Sequence, residues 1–187
     1  MGAISKFFKW LFEVLLGGSQ STTTVNNNIN IGTTAGVTTE ISSQPPKSNE
    51  PNYDVDFLKA HTNILFIDDE KFQITKTIQE AGWKNTYWLN GKTLKNTDTE
   101  RIRQADIIFV DIVGVAGSLF EDEGLGLIVY LKKRYPSKIV ILYSSESRHN
   151  IHHEAFDLID DKMKKETRAG VFLAKIEKYA KKVHSKR

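Results

Sequence analysis

The chain has 187 residues, 40 % hydrophobic and 26 % charged, enough for one ordinary soluble domain plus a substantial extension. It has no cysteine, which excludes disulfides, zinc–thiolate sites and cysteine nucleophiles and fits a cytoplasmic protein. The formal net charge is only +3, and the basic run from Lys164 to Arg187 reads as the solvated face of a helix, so no nucleic-acid partner is expected.

Residues 3–16 read Ala-Ile-Ser-Lys-Phe-Phe-Lys-Trp-Leu-Phe-Glu-Val-Leu-Leu and run into Gly17-Gly18. At helical spacing Ser5, Lys6, Lys9 and Glu13 share one sector, while Ile4, Phe7, Phe8, Trp10, Leu11, Val14 and Leu15 fill the rest. This predicts an amphipathic helix within residues 1–18, stopped by the glycine pair. Such a helix spans about 21 Å against a hydrocarbon core of roughly 30 Å, and charges interrupt it, which argues against a transmembrane role. No small-residue cleavage motif follows, and Lys6 stands where a myristoylation start requires Ser or Thr. The readings left are a helix lying on a membrane surface, peripheral at its inner face, a self-association helix giving a homo-oligomer, and a helix docked on a partner.

Residues 19–52 are rich in Ser, Thr, Asn and Gly, end in Gln44-Pro45-Pro46-Lys47, and predict a flexible linker. Within it, residues 25–32 are uncharged, Asn-rich and alternating, a composition that can stack into cross-β ladders. Ile29-Asn30-Ile31-Gly32 resembles the short core of RIP-homotypic-interaction-type amyloid motifs, so β-assembly stands beside a plain linker or a small hairpin here.

The segment 53–187 reads as one domain. Asn63-Ile64-Leu65-Phe66-Ile67 predicts a strand ending on Asp68-Asp69-Glu70. A helix follows with Phe72, Ile74, Ile78 and Ala81 inward, closed by Gly82. Thr86–Leu89 predicts a second strand, Thr99–Gln104 a helix, and Asp106–Val110 a buried strand ending on Asp111. Leu125–Tyr135 is helical, Ile139–Tyr143 is a strand ending on Ser144-Ser145, Phe156–Ile159 a fifth strand ahead of Lys162, and Ala169–Val183 the last helix. Apolar strands alternating with amphipathic helices predict an α/β fold, a doubly wound five-stranded parallel sheet of flavodoxin-like type. Its site is expected at the carboxyl ends of the strands, where Asp68, Asp69, Asp111, Ser144 and Lys162 all fall. His149, His152 and His153 lack clear ligand geometry and are expected to be surface residues.

Through Ile67-Asp68-Asp69-Glu70, Phe109-Val110-Asp111-Ile112, Leu142-Tyr143-Ser144-Ser145 and a downstream lysine, the segment from Asn63 to Tyr179 resembles the response-regulator receiver family of two-component signalling. The resemblance implies a phosphoacceptor switch rather than an enzyme, with Asp111 as acceptor, Ser144 and Lys162 as phosphate-binding residues, and a histidine kinase or phosphotransfer protein as partner. The chemistry agrees. Three carboxylates converging on one rim repel one another, and a hard, oxygen-preferring cation such as Mg2+ held by Asp68, Asp69 and Asp111 relieves that. Asp111 could then act as a carboxylate nucleophile in a phosphorelay.

The sequence also departs from the family pattern. Met163 follows Lys162 where the family usually has proline, Lys164 lies close by, and the stretch from Asp111 to Gly124 is long and lacks the common Met-Pro step. These departures leave open a degenerate, non-phosphorylated receiver, acting as an interaction module or membrane-targeted effector that assembles through residues 1–50. No DNA-binding segment follows the last helix, so output is expected through the N-terminal segment, a partner or phosphate relay.

Overall fold

The computed structural model describes residues 53–145 and 152–186. The predicted helix over 3–16, the linker, the 25–32 segment and His149 lie outside the described residues.

In chain order the described elements are α1 (Val55–His61), β1 (Ile64–Asp68), α2 (Ile74–Glu80), β2 (Thr86–Asn90), α3 (Glu100–Gln104), β3 (Ile107–Val110), α4 (Gly124–Arg134), β4 (Ile139–Ser144), α5 (Ala155–Leu158), β5 (Asp161–Lys164) and α6 (Ala169–His184). The five strands form one sheet in the order β2-β1-β3-β4-β5, every neighbour parallel. The predicted doubly wound α/β sheet is therefore the observed one. β1, β3 and β4 are buried along their whole length, as apolar, β-branched runs must be when helices cover both faces.

Alternation along the strands divides the core. Leu65, Ile67, Ile108, Val110, Val140 and Leu142 pack toward Ile102 of α3 and Leu127, Ile128 and Leu131 of α4. Ile64, Phe66, Ile107, Phe109, Ile141 and Tyr143 pack toward Leu58, Ile78, Phe172 and Ile176 of α1, α2 and α6. On that second face Phe66 and Phe109 stack with ring centroids 4.4 Å apart. Local chemistry fixes the ends: Thr99 caps α3 by accepting from the Ile102 amide at 3.3 Å, and Gly82, at φ +101, takes the left-handed turn after α2.

One sequence expectation is corrected, and one further element is found. Phe156–Ile159, expected as the fifth strand, belongs largely to the short helix α5, and the strand is Asp161–Lys164. β5 is an edge strand whose Lys162 and Lys164 face solvent, so it lacks the apolar signature of an interior strand, while the apolar run before it packs against the core under α4. The further element is α1, too short to show a helical periodicity in the sequence. It starts at Asp54, whose side chain accepts from the Asp56 amide, and it docks on α6. Tyr53 Oη donates to the His184 carbonyl at 2.6 Å, and Thr62 Oγ1 pairs with His184 Nε2 at 3.1 Å.

Among the described residues no helix is long and apolar enough to cross a membrane.

Candidate functional site

In this strand order the chain reverses direction between β1 and β3, where the crossovers leave toward opposite faces and open a crevice at the carboxyl ends. Asp68 ends β1 and Asp111 follows β3 directly. The Asp111 amide donates to the Ile67 carbonyl at 3.0 Å, which carries the parallel register one residue past Ile67 and Val110 and sets the two carboxylates side by side. Asp69 is the next residue of the turn. Carboxylate oxygens of Asp68, Asp69 and Asp111 lie within 4.8 Å of one another.

Lys165 bridges this cluster. Its Nζ lies 2.6 Å from Asp111 Oδ2 and 2.9 Å from Asp68 Oδ2. The lysine expected at the site, Lys162, is instead exposed on β5 in register with Leu142. The error follows from the misplaced strand: with β5 at Asp161–Lys164, the first residue past its carboxyl end is Lys165. The same shift puts Glu166 after the site lysine. Ser144 is buried at the carboxyl end of β4, where its carbonyl accepts from the Lys165 amide at 3.3 Å.

Asp68 is fully buried and accepts three hydrogen bonds: from the Glu70 amide at 3.0 Å, from Lys165, and from the hydroxyl of Tyr143, which reads in sequence only as a strand residue. Burial alone would raise its carboxyl, but the Tyr143 and Lys165 bonds and the Glu70 amide outweigh that and hold it below the usual carboxylate range. Asp69 goes the other way, raised by burial and by the neighbouring Asp68 and Asp111 charges against a lesser pull from Lys165. Burial tends to lower the Lys165 ammonium, yet Asp111 and Asp68 together carry it upward. Burial followed by the Asp68 charge pushes the Tyr143 phenol far up, so it stays a protonated donor.

The segment after Asp111 is folded rather than loose. Ile112, Val115 and Ala116 are buried, and the Ala116 amide donates to the Gly91 carbonyl at 2.9 Å beyond the end of β2. Gly114, at φ +72, passes over Asp69 so closely that a Cβ there would sit 2.7 Å from Asp69 Oδ2. Its amide donates to Glu123 Oε2 at 3.2 Å. Gly124 is equally constrained, since a Cβ would lie 1.9 Å from the Asp111 carbonyl oxygen. Hard carboxylate oxygens from three aspartates, under a backbone stripped of side-chain bulk, fit a small oxygen-seeking cation of the Mg2+ class.

His152 and His153 are not among the residues of the cluster. His152 is exposed, and His153 pairs through Nε2 with Asp122 at 2.6 Å while its Nδ1 accepts from the Ala155 amide at 3.0 Å. That leaves the Nε2 proton on the carboxylate side.

No family model matches the chain, and no curated protein matches it. Solved structures do. NtrX from Brucella abortus in complex with ATP is similar at 21 % identity with a TM-score of 0.56, covering 68 % of this chain and 28 % of that one. The receiver domain of NtrX from the same organism matches at 20 % identity and TM-score 0.52, over 63 % of this chain and 98 % of that one. A response regulator receiver domain protein (CheY-like) from Methanospirillum hungatei JF-1 matches at 19 % identity and TM-score 0.52, over 67 % and 98 %. This chain thus spans about 28 % of the length of the longer NtrX chain. At these identities the likeness establishes the fold alone: the described domain has a CheY-like receiver fold.

Proposed function

We propose that the domain is a phosphoacceptor switch in which Asp111 is the acceptor and Lys165 the phosphate-binding cation. The observation that carries this is the Lys165 bridge between Asp68 and Asp111 at the topological switch point, beside Asp69. A partly buried ammonium held by two carboxylates is already placed to follow a new negative charge on one of them.

Asp111 Oδ2, which now accepts from Lys165, is the attacking atom. Its oxygen forms a bond to the phosphorus of a donor, a phosphohistidine or small acyl phosphate, and the donor's own bond to phosphorus breaks with the electron pair leaving on the donor. A Mg2+ ion held by Asp69 and Asp111 would supply charge neutralisation for the phosphoryl oxygens. Lys165 then exchanges the Asp111 carboxylate for a phosphoryl oxygen. Its backbone leaves β5 hydrogen-bonded to the Ser144 carbonyl, so that shift pulls on the end of β4. The Ser144 hydroxyl is the second phosphate donor, and its movement carries the signal into the segment that follows.

The upstream partner is a histidine kinase or phosphotransfer protein. The amphipathic segment 3–16 and the Asn-rich segment 25–32 are the proposed output, by membrane-surface binding or self-assembly. The test is intact-mass analysis of the full chain after incubation with Mg2+ and acetyl phosphate, beside Asp111→Ala. One phosphate on the parent and none on the variant is expected. A folded parent that takes up none would favour a degenerate receiver working through assembly.

A further inference from the structure

We infer that Asp122 and His153 form a latch that joins α5 to the segment covering the phosphoacceptor, so that phosphate uptake at Asp111 and the seating of α5 oppose one another. The inference rests on the phosphoacceptor reading. The segment from Ile112 to Glu123 is strapped down at several points. The Ala116 amide donates to the Gly91 carbonyl at 2.9 Å, and the Ser118 hydroxyl donates to the Leu94 carbonyl at 2.9 Å. Phe120 packs on Tyr130 of α4 with ring centroids 6.0 Å apart. Two non-glycine residues of the strap, Ala116 at φ +57 and Glu123 at φ +54, stand in the left-handed region. Such backbone persists only where neighbouring contacts hold it. Glu123 is held through Oε2, which accepts from the Gly114 amide at 3.2 Å, and Asp122 beside it through Oδ2, 2.6 Å from His153 Nε2. Gly126 makes room for this arrangement, since a Cβ there would collide with Asp122 Oδ1.

His153 is fixed in its turn. Its Nδ1 accepts from the Ala155 amide at the start of α5, and Glu154 next to it meets Lys133 of α4 at 2.8 Å. A chain of contacts therefore runs from α5 through His153, Asp122 and Glu123 to Gly114, and Gly114 lies against Asp69. There is no room for even a methyl group between Gly114 and Asp69, and carboxylate oxygens of Asp69 and Asp111 lie within 4.8 Å of one another. A phosphoryl group on Asp111 needs space on this side, so the turn at Gly114 must lift. Lifting draws Glu123 and Asp122 with it and strains the bond to His153. The coupling is reciprocal: whatever opens the latch eases phosphate uptake, and phosphate uptake loosens α5.

The test compares the full chain with Asp122→Ala, His153→Ala and the double variant, following phosphate uptake from acetyl phosphate and Mg2+ by intact mass over time. Amide hydrogen exchange without any phosphate donor is measured beside it. Each single variant should take up phosphate about three- to tenfold faster than the parent, the range that loss of one hydrogen bond to a charged group gives. The double variant should be no faster than either single one, because both remove the same bond. The Gly114 amide, bonded to Glu123 rather than to either latch residue, should exchange about threefold or more faster in His153→Ala and in Asp122→Ala. Unchanged uptake in both single variants overturns the inference, and so does a double variant whose gain is the product of the two. Unchanged exchange at Gly114 overturns it as well. Asp122, with a side chain 46 % exposed, carries the test on its own if His153→Ala unsettles α5. A parent that takes up no phosphate would sink the phosphoacceptor reading, and the exchange at Gly114 would then decide the latch alone.

Discussion

At the scale of single residues, the cluster is a problem of buried charge, and Lys165 is the answer the chain carries within itself. Lys165 is 16 % exposed in its side chain, Asp68 0 % and Asp111 6 %, so solvent does little to screen them. Removing the ammonium by Lys165→Ala leaves two facing buried carboxylates and should cost about 3–5 kcal/mol. Added Mg2+ should return part of that loss. Lys162→Ala, on the exposed side of β5, should stay within about 0.5 kcal/mol. Urea unfolding of both variants with and without Mg2+ checks the pair, and a larger loss at 162 would restore the original lysine assignment. Asp160 gives a pH-dependent counterpart away from the site. Burial pushes its carboxyl up, but Lys132 at 2.8 Å, the Val140 amide and Lys182 hold it below the usual range. A depressed folded value means stability that is present above the unfolded pKa of about 3.9 and is lost as pH falls through the folded value. Asp160→Asn should therefore be the less stable protein at pH 7, with its deficit shrinking as pH drops below about 4. Thermal melts across that range should converge, and parallel curves would contradict the assignment.

At the scale of elements, α1 and β5 show how tertiary context overrides local pattern. α1 is short, and a helix of this length has little stability of its own, so its order comes from docking. Leu58 enters the core at 0 % exposure, and Tyr53 and Thr62 tether the ends of the element to His184. Leu58→Ala should cost about 2–5 kcal/mol in a denaturant titration of the full chain. A negligible loss would mean that α1 is a dispensable appendage. β5 is held by pairing with β4 and by the Lys175 and Tyr179 contacts of α6 to Asp161, none of which an inspection of neighbouring residues could supply.

At the scale of the whole molecule, the described domain has a receiver fold, and the proposed output lies in residues 3–16 and 25–32. If residues 3–16 lie on membranes as proposed, the full chain should sediment with anionic vesicles, and serines at Phe7, Phe8 and Leu11 should release it while leaving the domain's melting unchanged. Assembly through 25–32 predicts instead thioflavin-positive fibres that Ile29→Ser with Ile31→Ser abolishes. Neither behaviour in the full chain would shift the output to a partner protein docked on the receiver itself.

What the sequence determined on its own was whatever depends on local periodicity and strand ends. The apolar runs Ile64–Ile67, Ile107–Val110 and Ile139–Leu142 could only be interior parallel strands, and that placed Asp68, Asp69 and Asp111 on one rim. Only the tertiary structure decided which cation and which hydroxyl reach that rim. Lys165 is selected over Lys162 by the register of an edge strand that carries no hydrophobic signal. Tyr143 reads in sequence as one more apolar strand residue. Its hydroxyl finds Asp68 only because the aromatic cage from β1, β3 and the turn before α2 aims it there, and such convergence across segments distant in the chain leaves no local pattern to read.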